Sequence, residues 1–262
     1  MAHQHSARSL VHYGEVSLYE LTFAKRKFDV DFFVRRAAEL EPGEPVLEFG
    51  AGAGRVTLPL AKAGHPVCAV DASPAMLGRL QERLTRAPKK LRSLVSPVRG
   101  DMRKLRLDRQ FPLVLATFNV VGHLETFLDM GAFLRTAAHH LSPGGRLIFD
   151  VPIPHPDEVE ADPEELHPAP RFKHPDTGQW VHQTERFEYD AARQVLLVES
   201  ELRVASMPDP LVIPLSLRQW FPKEVEAILH YEGFDNIKTF ADYSELPGIT
   251  ASDTLIFCAS RS

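Results

Sequence analysis

Cysteine is scarce in this chain of 262 residues, because only Cys68 and Cys258 are present and both lie inside apolar runs. Such isolated thiols are typical of reduced core residues in a cytosolic protein, so we expect a cytoplasmic location. No apolar run approaches the ~20 residues that a membrane helix needs. Residues 1–6 also lack an apolar signal core. We therefore expect neither a membrane span nor a secretory signal.

An excess of basic residues is lacking as well, since 35 acidic residues against 30 Lys and Arg give a formal charge of −5. Proteins built to hold polyanions normally have a basic surface, so this balance disfavours nucleic acid as a general partner. No His, Asp and Glu cluster has metal-ligand spacing, and we expect no catalytic metal. The hydrophobic content of 44% is ordinary for a soluble globular protein. The length allows one large domain, or one domain with an insertion.

Short apolar runs alternate with helix-length segments over the first part of the chain. The runs that predict strands are residues 45–49, 66–70, 94–98, 111–117 and 146–151. Ser73 followed by Pro74 predicts the start of a helix, with Ser73 as its N-cap. Strands separated by helices form βαβ units. The pattern therefore predicts an α/β fold with a doubly wound, mostly parallel, Rossmann-like sheet.

The pattern changes after Asp150. Residues 155–170 hold six acidic residues, four prolines and no Lys or Arg, which predicts an exposed acidic loop. The extended segments that follow predict a small antiparallel β insertion, and they are residues 179–189, 194–204 and 211–220. A helix at 222–231 and two closing strands, at 236–240 and 254–259, would complete a seven-stranded sheet.

These boundaries divide the chain into three parts. We expect an N-terminal helical lid at 1–40, an α/β domain at 41–154 and 215–262, and the insertion at 155–214. Phe and Leu at mixed spacing predict one or two helices at the end of the lid. Those helices either cap the core or cover an active site.

The segment VLEFGAGAGRVT, residues 46–57, runs from an apolar strand through a glycine cluster into a helix. Glycine permits tight turns and close approach to a ligand, and the following helix offers free N–H groups. Arg55 occupies the third glycine position of a dinucleotide fingerprint, which disfavours NAD or FAD, and no P-loop lysine follows. The segment predicts a nucleotide-type ligand at the carboxyl end of the strand.

Residues 46–54 resemble the first motif, V-L-E/D-x-G-x-G-x-G, of class I S-adenosylmethionine-dependent methyltransferases. Three further motifs of that family follow in order: the acid Asp71, the pair Asp101-Met102, and the turn at 141–145. The resemblance covers about residues 40–151 and 215–260. It implies methyltransferase activity with S-adenosyl-L-methionine as the cofactor.

The resemblance also implies individual cofactor contacts. Asp71 would accept hydrogen bonds from the ribose hydroxyls, as a carboxylate at a strand end can. Asp101 would accept from the adenine amine, the next backbone N–H would donate to the ring, and Met76 would pack on the adenine face. The expected cofactor-binding residues are Glu48, Gly50, Ala51, Gly52, Arg55, Asp71, Ala72, Met76, Asp101, Met102 and Phe118.

Each of these assignments has a purely structural alternative. Asp71 could serve as a helix N-cap, Asp101 could cap a turn, and Met76 could be a core residue. Arg55 could lie on the surface instead of anchoring the carboxylate of the cofactor. We expect Glu48 to hydrogen-bond within the glycine loop rather than to take part in chemistry.

Methyl transfer from a sulfonium requires mainly alignment, and it requires a base only when the nucleophile arrives protonated. Residues 117–124 lack the Asn/Asp-Pro-Pro-Tyr/Phe motif of DNA amine methyltransferases and the Pro-Cys of cytosine C5 enzymes, so we expect no DNA substrate. His123 is the best acid–base candidate, because similar small-molecule N-methyltransferases carry a His or Tyr about there. Tyr13 and Tyr19 in the lid are further catalytic candidates. The alternatives are helix capping for His123 and packing for the tyrosines.

The leading hypothesis is methyl transfer by direct displacement to nitrogen or oxygen of a small molecule. In similar enzymes the insertion, whose sheet begins here with Trp180 and His182, walls the acceptor site or forms a dimer contact, so a homodimer is one expectation. An RNA methyltransferase is an alternative, since residues 86–109 hold nine Lys and Arg against two acids. Such a run is usually a solvated face, which makes RNA the weaker choice. A third alternative is a non-catalytic cofactor-binding protein, which the intact glycine loop disfavours.

Overall fold

The structure is a computed structural model that describes residues 28–174, 178–204, 209–248 and 252–261. The chain divides into two units. The α/β unit consists of the described residues of Lys27–Ile153 and Trp220–Ser262, and the insertion unit consists of those of Pro154–Gln219. The insertion unit therefore extends past the predicted boundary at residue 214.

Helices and strands alternate along the α/β unit up to the insertion. They are α1 (Phe28–Ala37), β1 (Val46–Phe49), α2 (Thr57–Lys62), β2 (Val67–Asp71), α3 (Pro74–Arg86), α4 (Lys89–Arg92), β3 (Val95–Arg99), β4 (Phe111–Ala116), a 3₁₀ helix (Val120–His123), α5 (Phe127–His140) and β5 (Leu141–Pro152). The insertion unit adds α6 (Pro156–Val159), β6 (His167–Lys173), β7 (Trp180–Asp190), β8 (Val195–Val204) and β9 (Leu211–Arg218). The chain then returns with α7 (Pro222–Tyr231), β10 (Asp235–Ala241) and β11 (Thr254–Ser260).

The α/β unit is built on a seven-stranded sheet with the order β10-β11-β5-β4-β1-β2-β3. The pairs from β3 through β5 are parallel, whereas β11 is antiparallel to both of its neighbours. All four residues of β1 are buried, as expected for a central parallel strand covered on both faces. The predicted fold class is confirmed.

Successive residues of the central strands belong to two different hydrophobic clusters. Leu47 and Phe49 belong to one cluster and Val46 to the other. Because side chains alternate between the faces of a strand, each cluster fills one face of the sheet. Cys68 and Cys258 are buried free thiols, as predicted, and burial raises the pKa of both.

The start of α3 follows the predicted capping pattern. Ser73 has an extended backbone and its hydroxyl accepts a hydrogen bond from Met76 N over 3.3 Å, while Pro74 is the first helical residue. This arrangement satisfies one of the N–H groups that a helix start leaves without an intrahelical partner. The cap fixes the point at which the chain turns away from the end of β2.

The insertion unit is an antiparallel sheet with the order β6-β7-β8-β9 around a small core of Val181, Leu202 and Ile213. The prediction of a loop across residues 155–170 is wrong in part, because this segment contains α6 and the start of β6. The backbone of β6 forms its hydrogen bonds with β7, and the composition of the segment alone does not reveal this pairing. Pro168 and Pro170 are compatible with β6 because it is an edge strand, where a missing N–H breaks no inner ladder.

The helices and the possible metal-ligand groups were compared with the requirements of a membrane span and of a metal site. Within the described ranges, no helix combines the length and the apolar character needed to cross a bilayer. The same residues contain no group of three or more His, Cys, Asp or Glu that could hold a metal ion.

Candidate active site

The carboxyl ends of β1 and β4 lie side by side at the centre of the sheet. From β1 the chain continues towards β2 on one side, and from β4 towards β5 on the other. Such a reversal opens a crevice at the carboxyl edge of a parallel sheet, where ligands bind. The glycine loop, residues 50–54, follows β1, and the post-β4 loop, residues 117–124, follows β4. The two loops that the sequence predicted to carry function therefore meet at one place.

All three glycines of the loop have positive φ, with +68° at Gly50, +55° at Gly52 and +86° at Gly54. A Cβ at Gly50 would lie 2.3 Å from Val120 Cγ2, so the glycine loop contacts the post-β4 loop directly. Among the residues that the structure describes, and apart from the two chain neighbours of Gly52, a Cβ at Gly52 would come within 4 Å of Met76 Sδ alone, at 3.9 Å. Gly50 thus allows the loops to touch, and the described residues leave space at Gly52 next to Met76.

Asp71 lies at the end of β2 and faces the glycine loop. Its carboxylate accepts from Gly52 N over 2.7 Å and from Ser73 N over 2.8 Å, one bond to each oxygen. Each carboxylate oxygen has a second lone pair, so both can accept a further hydrogen bond. Burial raises the pKa of Asp71 from its ordinary value. The two N–H groups hold the carboxylate in a fixed orientation beside the loop.

Glu48 is an acidic residue in the buried strand β1, and its exposed fraction is 1%. Its Oε2 accepts from Thr57 Oγ1 over 2.5 Å. We expected a bond within the glycine loop, whereas this partner is the first residue of the following helix. Burial raises the pKa of Glu48 to about 7, and the Thr57 hydrogen bond and the Arg55 charge oppose that rise.

Asp101 is engaged by a residue that the sequence did not single out, Arg103. The Arg103 guanidinium donates to Asp101 Oδ2 over 2.8 Å and to Asp129 Oδ1 over 2.8 Å. Burial alone would raise the pKa of Asp101, but the Arg103 hydrogen bonds and charge lower it overall. Asp101 is therefore held as a carboxylate, in an ion-pair network that also reaches the first turn of α5.

Arg55 does not lie free on the surface. Its guanidinium donates to both carboxylate oxygens of Asp29, over 3.0 and 2.6 Å, and lies 4.3 Å from the centre of the Phe118 ring. The Asp29 side chain is fully buried and belongs to α1. The contact joins α1, the residue that directly follows the glycine loop, and the post-β4 loop at one point.

The post-β4 loop is also held from β5. Asp150 accepts from Phe118 N over 2.6 Å, from Asn119 N over 2.7 Å and from Tyr243 Oη over 2.9 Å. His123 ends the 3₁₀ helix of this loop and is half-buried, with its Nδ1 atom shielded from solvent. The loop that carries the acid–base candidate therefore has a defined backbone.

The remaining predicted site residues fall into two groups. Ala51 is buried and its N–H donates to Val70 O over 3.0 Å, Ala72 is exposed next to Asp71, and Met102 is half-buried against the core. Tyr13 and Tyr19 lie outside the described residues. The structure thus brings the glycine loop, the acids after β2 and β3, and the post-β4 loop to one edge of the sheet.

Sequence reasoning missed Asp29, Arg103, Asp150 and Tyr243. Asp150 carried a usable signal, because an acidic residue in the apolar run 146–151 resembles Glu48 in its own strand. Arg103 belongs to a basic stretch that we interpreted as a solvated face. Asp29 and Tyr243 carried no local signal, since their partners are remote in sequence.

The described residues fit the predicted cofactor. Gly52 leaves space bounded by the Met76 sulfur, and an oriented Asp71 carboxylate with spare lone pairs lies next to it. The lowered pKa of Asp101 favours its carboxylate form, in which both oxygens accept hydrogen bonds, although Arg103 already occupies part of this carboxylate. The donor and acceptor types are those that a nucleoside with ribose hydroxyls and an exocyclic amine requires.

Comparison with known proteins gives a consistent result. Residues 46–145 match a family model described as a methyltransferase domain. A cypemycin N-terminal methyltransferase from Streptomyces sp is 37% identical over 112 residues, which is 43% of this chain and 43% of that protein. The chain thus spans less than half the length of this curated relative.

Solved structures match over a greater length. The CcbJ methyltransferase from Streptomyces caelestis has a TM-score of 0.74 at 24% identity and covers 90% of each chain. CalS10, an amino pentose methyltransferase from Micromonospora echinaspora solved with bound cofactor, has a TM-score of 0.66 at 22% identity. That match covers 89% of this chain and 90% of CalS10. At these identities the likeness establishes the fold.

Proposed function

We propose that this chain is an S-adenosylmethionine-dependent methyltransferase that transfers a methyl group to a nitrogen atom of a small-molecule acceptor, and the methyltransferase-domain match over residues 46–145 supports this. The observation that carries this proposal is the pairing of the glycine loop with Asp71. The described residues leave space beside Gly52, and Gly52 N itself donates to the Asp71 carboxylate over 2.7 Å.

Residues at the carboxyl edge of the parallel strands each bind a different part of the cofactor in this proposal. The Asp71 carboxylate uses its remaining acceptor capacity to accept from the ribose hydroxyls. Met76 borders the space beside Gly52, and its polarisable thioether suits the face of an adenine ring. Asp101, kept ionised by Arg103, accepts from the exocyclic amine. Together these contacts would fix the position of the bound cofactor.

When bound, the cofactor would supply a methyl group carried by a sulfonium. The amine lone pair of the acceptor would attack that methyl carbon, so that an N–C bond would form as the S–C bond breaks and the thioether S-adenosylhomocysteine leaves. The protein has to align the acceptor and, for an amine that arrives as an ammonium, to take up one proton. His123 at the end of the 3₁₀ helix is the candidate proton acceptor. The post-β4 loop that carries it lies against the glycine loop through Val120.

Nitrogen is favoured over oxygen by the names of the related proteins. The cypemycin enzyme is an N-terminal methyltransferase, and a Streptomyces venezuelae relative with 39% identity over 70 residues acts as an N,N-dimethyltransferase on a dTDP-linked amino sugar. The structural neighbours include a glycopeptide N-methyltransferase. An amine on a sugar or peptide is therefore the acceptor class that we propose.

The test is a methyl-transfer assay with labelled cofactor against matched acceptors. The panel pairs amino sugars and peptides bearing a free amine with the same compounds in which the amine is replaced by a hydroxyl, and it includes ribosomal RNA. Transfer to the amines alone supports the proposal. Transfer to the hydroxyl analogues would show that the acceptor atom is oxygen.

RNA is included because one specific observation favours it. The helix α4, from the basic stretch at 86–109, has no buried residue and exposes its basic side chains. A ribosomal RNA methyltransferase from Thermotoga maritima is 39% identical over 85 residues. Labelling of RNA with no labelling of any small amine would replace our proposal by this second one.

A further inference from the structure

Two consecutive residues of the post-β4 loop have left-handed backbone conformations. The angle φ is +64° at Phe118 and +53° at Asn119. Asn adopts this conformation more readily than other residues with a Cβ, whereas for a bulky aromatic residue it is unfavourable. Such a pair persists only where the surrounding structure holds it.

A single buried carboxylate holds this turn. The N–H of Phe118 points to one oxygen of Asp150, over 2.6 Å, and the N–H of Asn119 points to the other, over 2.7 Å. Asp150 has an exposed fraction of 1% and lies on β5, the strand next to β4. Successive N–H groups that converge on one anion are a recurrent way of fixing a turn. The third donor, Tyr243 Oη, comes from a different part of the chain.

The turn determines where the rest of the loop lies. Directly after the turn, Val120 packs against Gly50. A Cβ at Gly50 would clash with Val120 Cγ2 at 2.3 Å. One residue later, Val121 O accepts from Trp220 Nε1 over 3.1 Å. The 3₁₀ helix that ends at His123 is thereby fixed between the turn, the glycine loop and Trp220.

We propose that Asp150 is a positioning residue for methyl transfer, which sets the distance between the post-β4 loop and the glycine loop by holding the Phe118–Asn119 turn. This inference rests on the proposed function, because methyl transfer is the step that depends on that distance. Asp150 touches neither the cofactor nor the acceptor in this role. It acts through the backbone of the loop.

The central variant is Asp150→Asn, which keeps the size of the side chain. Its amide offers one acceptor oxygen and one donor nitrogen, so one of the two turn N–H groups loses its acceptor. We expect kcat at saturating cofactor and acceptor to fall about 100-fold, as for a displacement of about 1 Å in an aligned reaction. The Kd for S-adenosylhomocysteine should stay within about threefold, since the Asp71 contacts are untouched.

Tyr243→Phe is the matched control. It also removes one hydrogen bond from the Asp150 carboxylate, but it leaves both turn N–H bonds in place. We expect its kcat to fall at least tenfold less than that of Asp150→Asn. An equal loss of kcat in the two variants would overturn the proposal, because it would indicate a general effect on the core.

A rescue experiment separates positioning from a merely structural role. Glycine adopts positive φ without a steric penalty. Asn119→Gly in the Asp150→Asn background should therefore recover kcat at least fivefold, whereas Asn119→Gly alone should not raise it. Absence of this recovery would overturn the proposed mechanism of positioning.

Amide hydrogen exchange gives a readout that needs no acceptor. In Asp150→Asn, exchange across residues 117–124 should accelerate about tenfold or more, with no change in β1 or β2. Unchanged exchange would overturn the positioning role even if the wild-type enzyme methylated nothing. A wild-type protein without any methyl transfer would instead contradict the proposed function, so the two failures are distinguishable.

Discussion

Thr57 Oγ1 donates a hydrogen bond to Glu48 Oε2 over 2.5 Å, and it does so in the interior of the α/β unit. Burial raises the pKa of Glu48 from 4.5 to about 7. A carboxyl whose pKa is raised in the folded state contributes stability below its unfolded pKa and loses it as the pH rises through the folded pKa. The free energy of unfolding should therefore decrease between about pH 4.5 and 7 because of this one group.

The variant Glu48→Gln tests this coupling, since an amide oxygen still accepts from Thr57 but carries no titrating proton. Its stability relative to wild type should increase by about 2–3 kcal/mol between pH 5 and pH 8, at 1.36 kcal/mol per pKa unit. Urea unfolding at both pH values measures the difference. Glu82→Gln on the exposed face of α3 should show no such change. Parallel pH profiles for wild type and Glu48→Gln would contradict the assignment.

Local patterns predicted the elements that depend on neighbours in sequence. Apolar runs marked the parallel strands, and Ser73-Pro74 marked the start of α3, because each signal lies within one turn or one strand. The ion pair between Asp101 and Arg103 was not predicted, although the two residues are only two positions apart. Arg103 also binds Asp129, which lies in α5 and is remote in sequence. The edge strand β6 was missed for the same reason, because its backbone bonds come from β7 rather than from its own acidic, proline-rich sequence.

Arg55→Ala should be strongly destabilising. The substitution removes the guanidinium from a fully buried Asp29, and breaking a buried pair by removing one partner typically costs about 3–5 kcal/mol. Arg79→Ala in the exposed Arg79–Glu82 pair should cost less than about 1 kcal/mol. Urea unfolding of both variants measures the two costs. Similar small values for both would show that the Asp29 carboxylate does not depend on Arg55.

Asp71→Ala should weaken binding of S-adenosylhomocysteine at least tenfold. The lost hydrogen bonds to a charged acceptor contribute about 1.5–3 kcal/mol each at most, and tenfold corresponds to about 1.4 kcal/mol. Isothermal titration calorimetry gives the Kd directly. Asp108→Ala, which removes an exposed carboxylate, should bind like wild type. An unchanged Kd in Asp71→Ala would refute the cofactor site.

Pairing of two chains through the insertion unit is expected from its edge strand β9. An edge strand can act as a template for pairing with a second copy, and β9 is an edge strand among the described residues, with Val212 exposed on it. Sedimentation at micromolar concentration should give twice the chain mass of 29.4 kDa. Val212→Glu should shift the protein towards monomer, while Leu246→Glu on the α/β unit should not. A monomeric wild type would refute the prediction.

His123 should affect turnover far more than it affects cofactor binding. It ends the 3₁₀ helix after β4, whereas the predicted cofactor contacts come mainly from the loops after β1, β2 and β3. If it takes up the proton of the acceptor amine, His123→Ala should lower kcat by about 10²–10⁴-fold. Steady-state kinetics and calorimetry with S-adenosylhomocysteine measure the two effects separately, and the Kd should be nearly unchanged.

The control for this variant is His230→Ala, which removes an exposed histidine from the end of α7 and should leave kcat unchanged. The pH dependence of kcat adds a second criterion, because loss of a general base removes the corresponding inflection from the profile. Wild-type kcat for His123→Ala across pH 6–9 would reduce this residue to a structural role. The acid–base assignment would then move to Tyr13 and Tyr19, whose Phe variants should in that case show the loss of kcat that His123→Ala lacked.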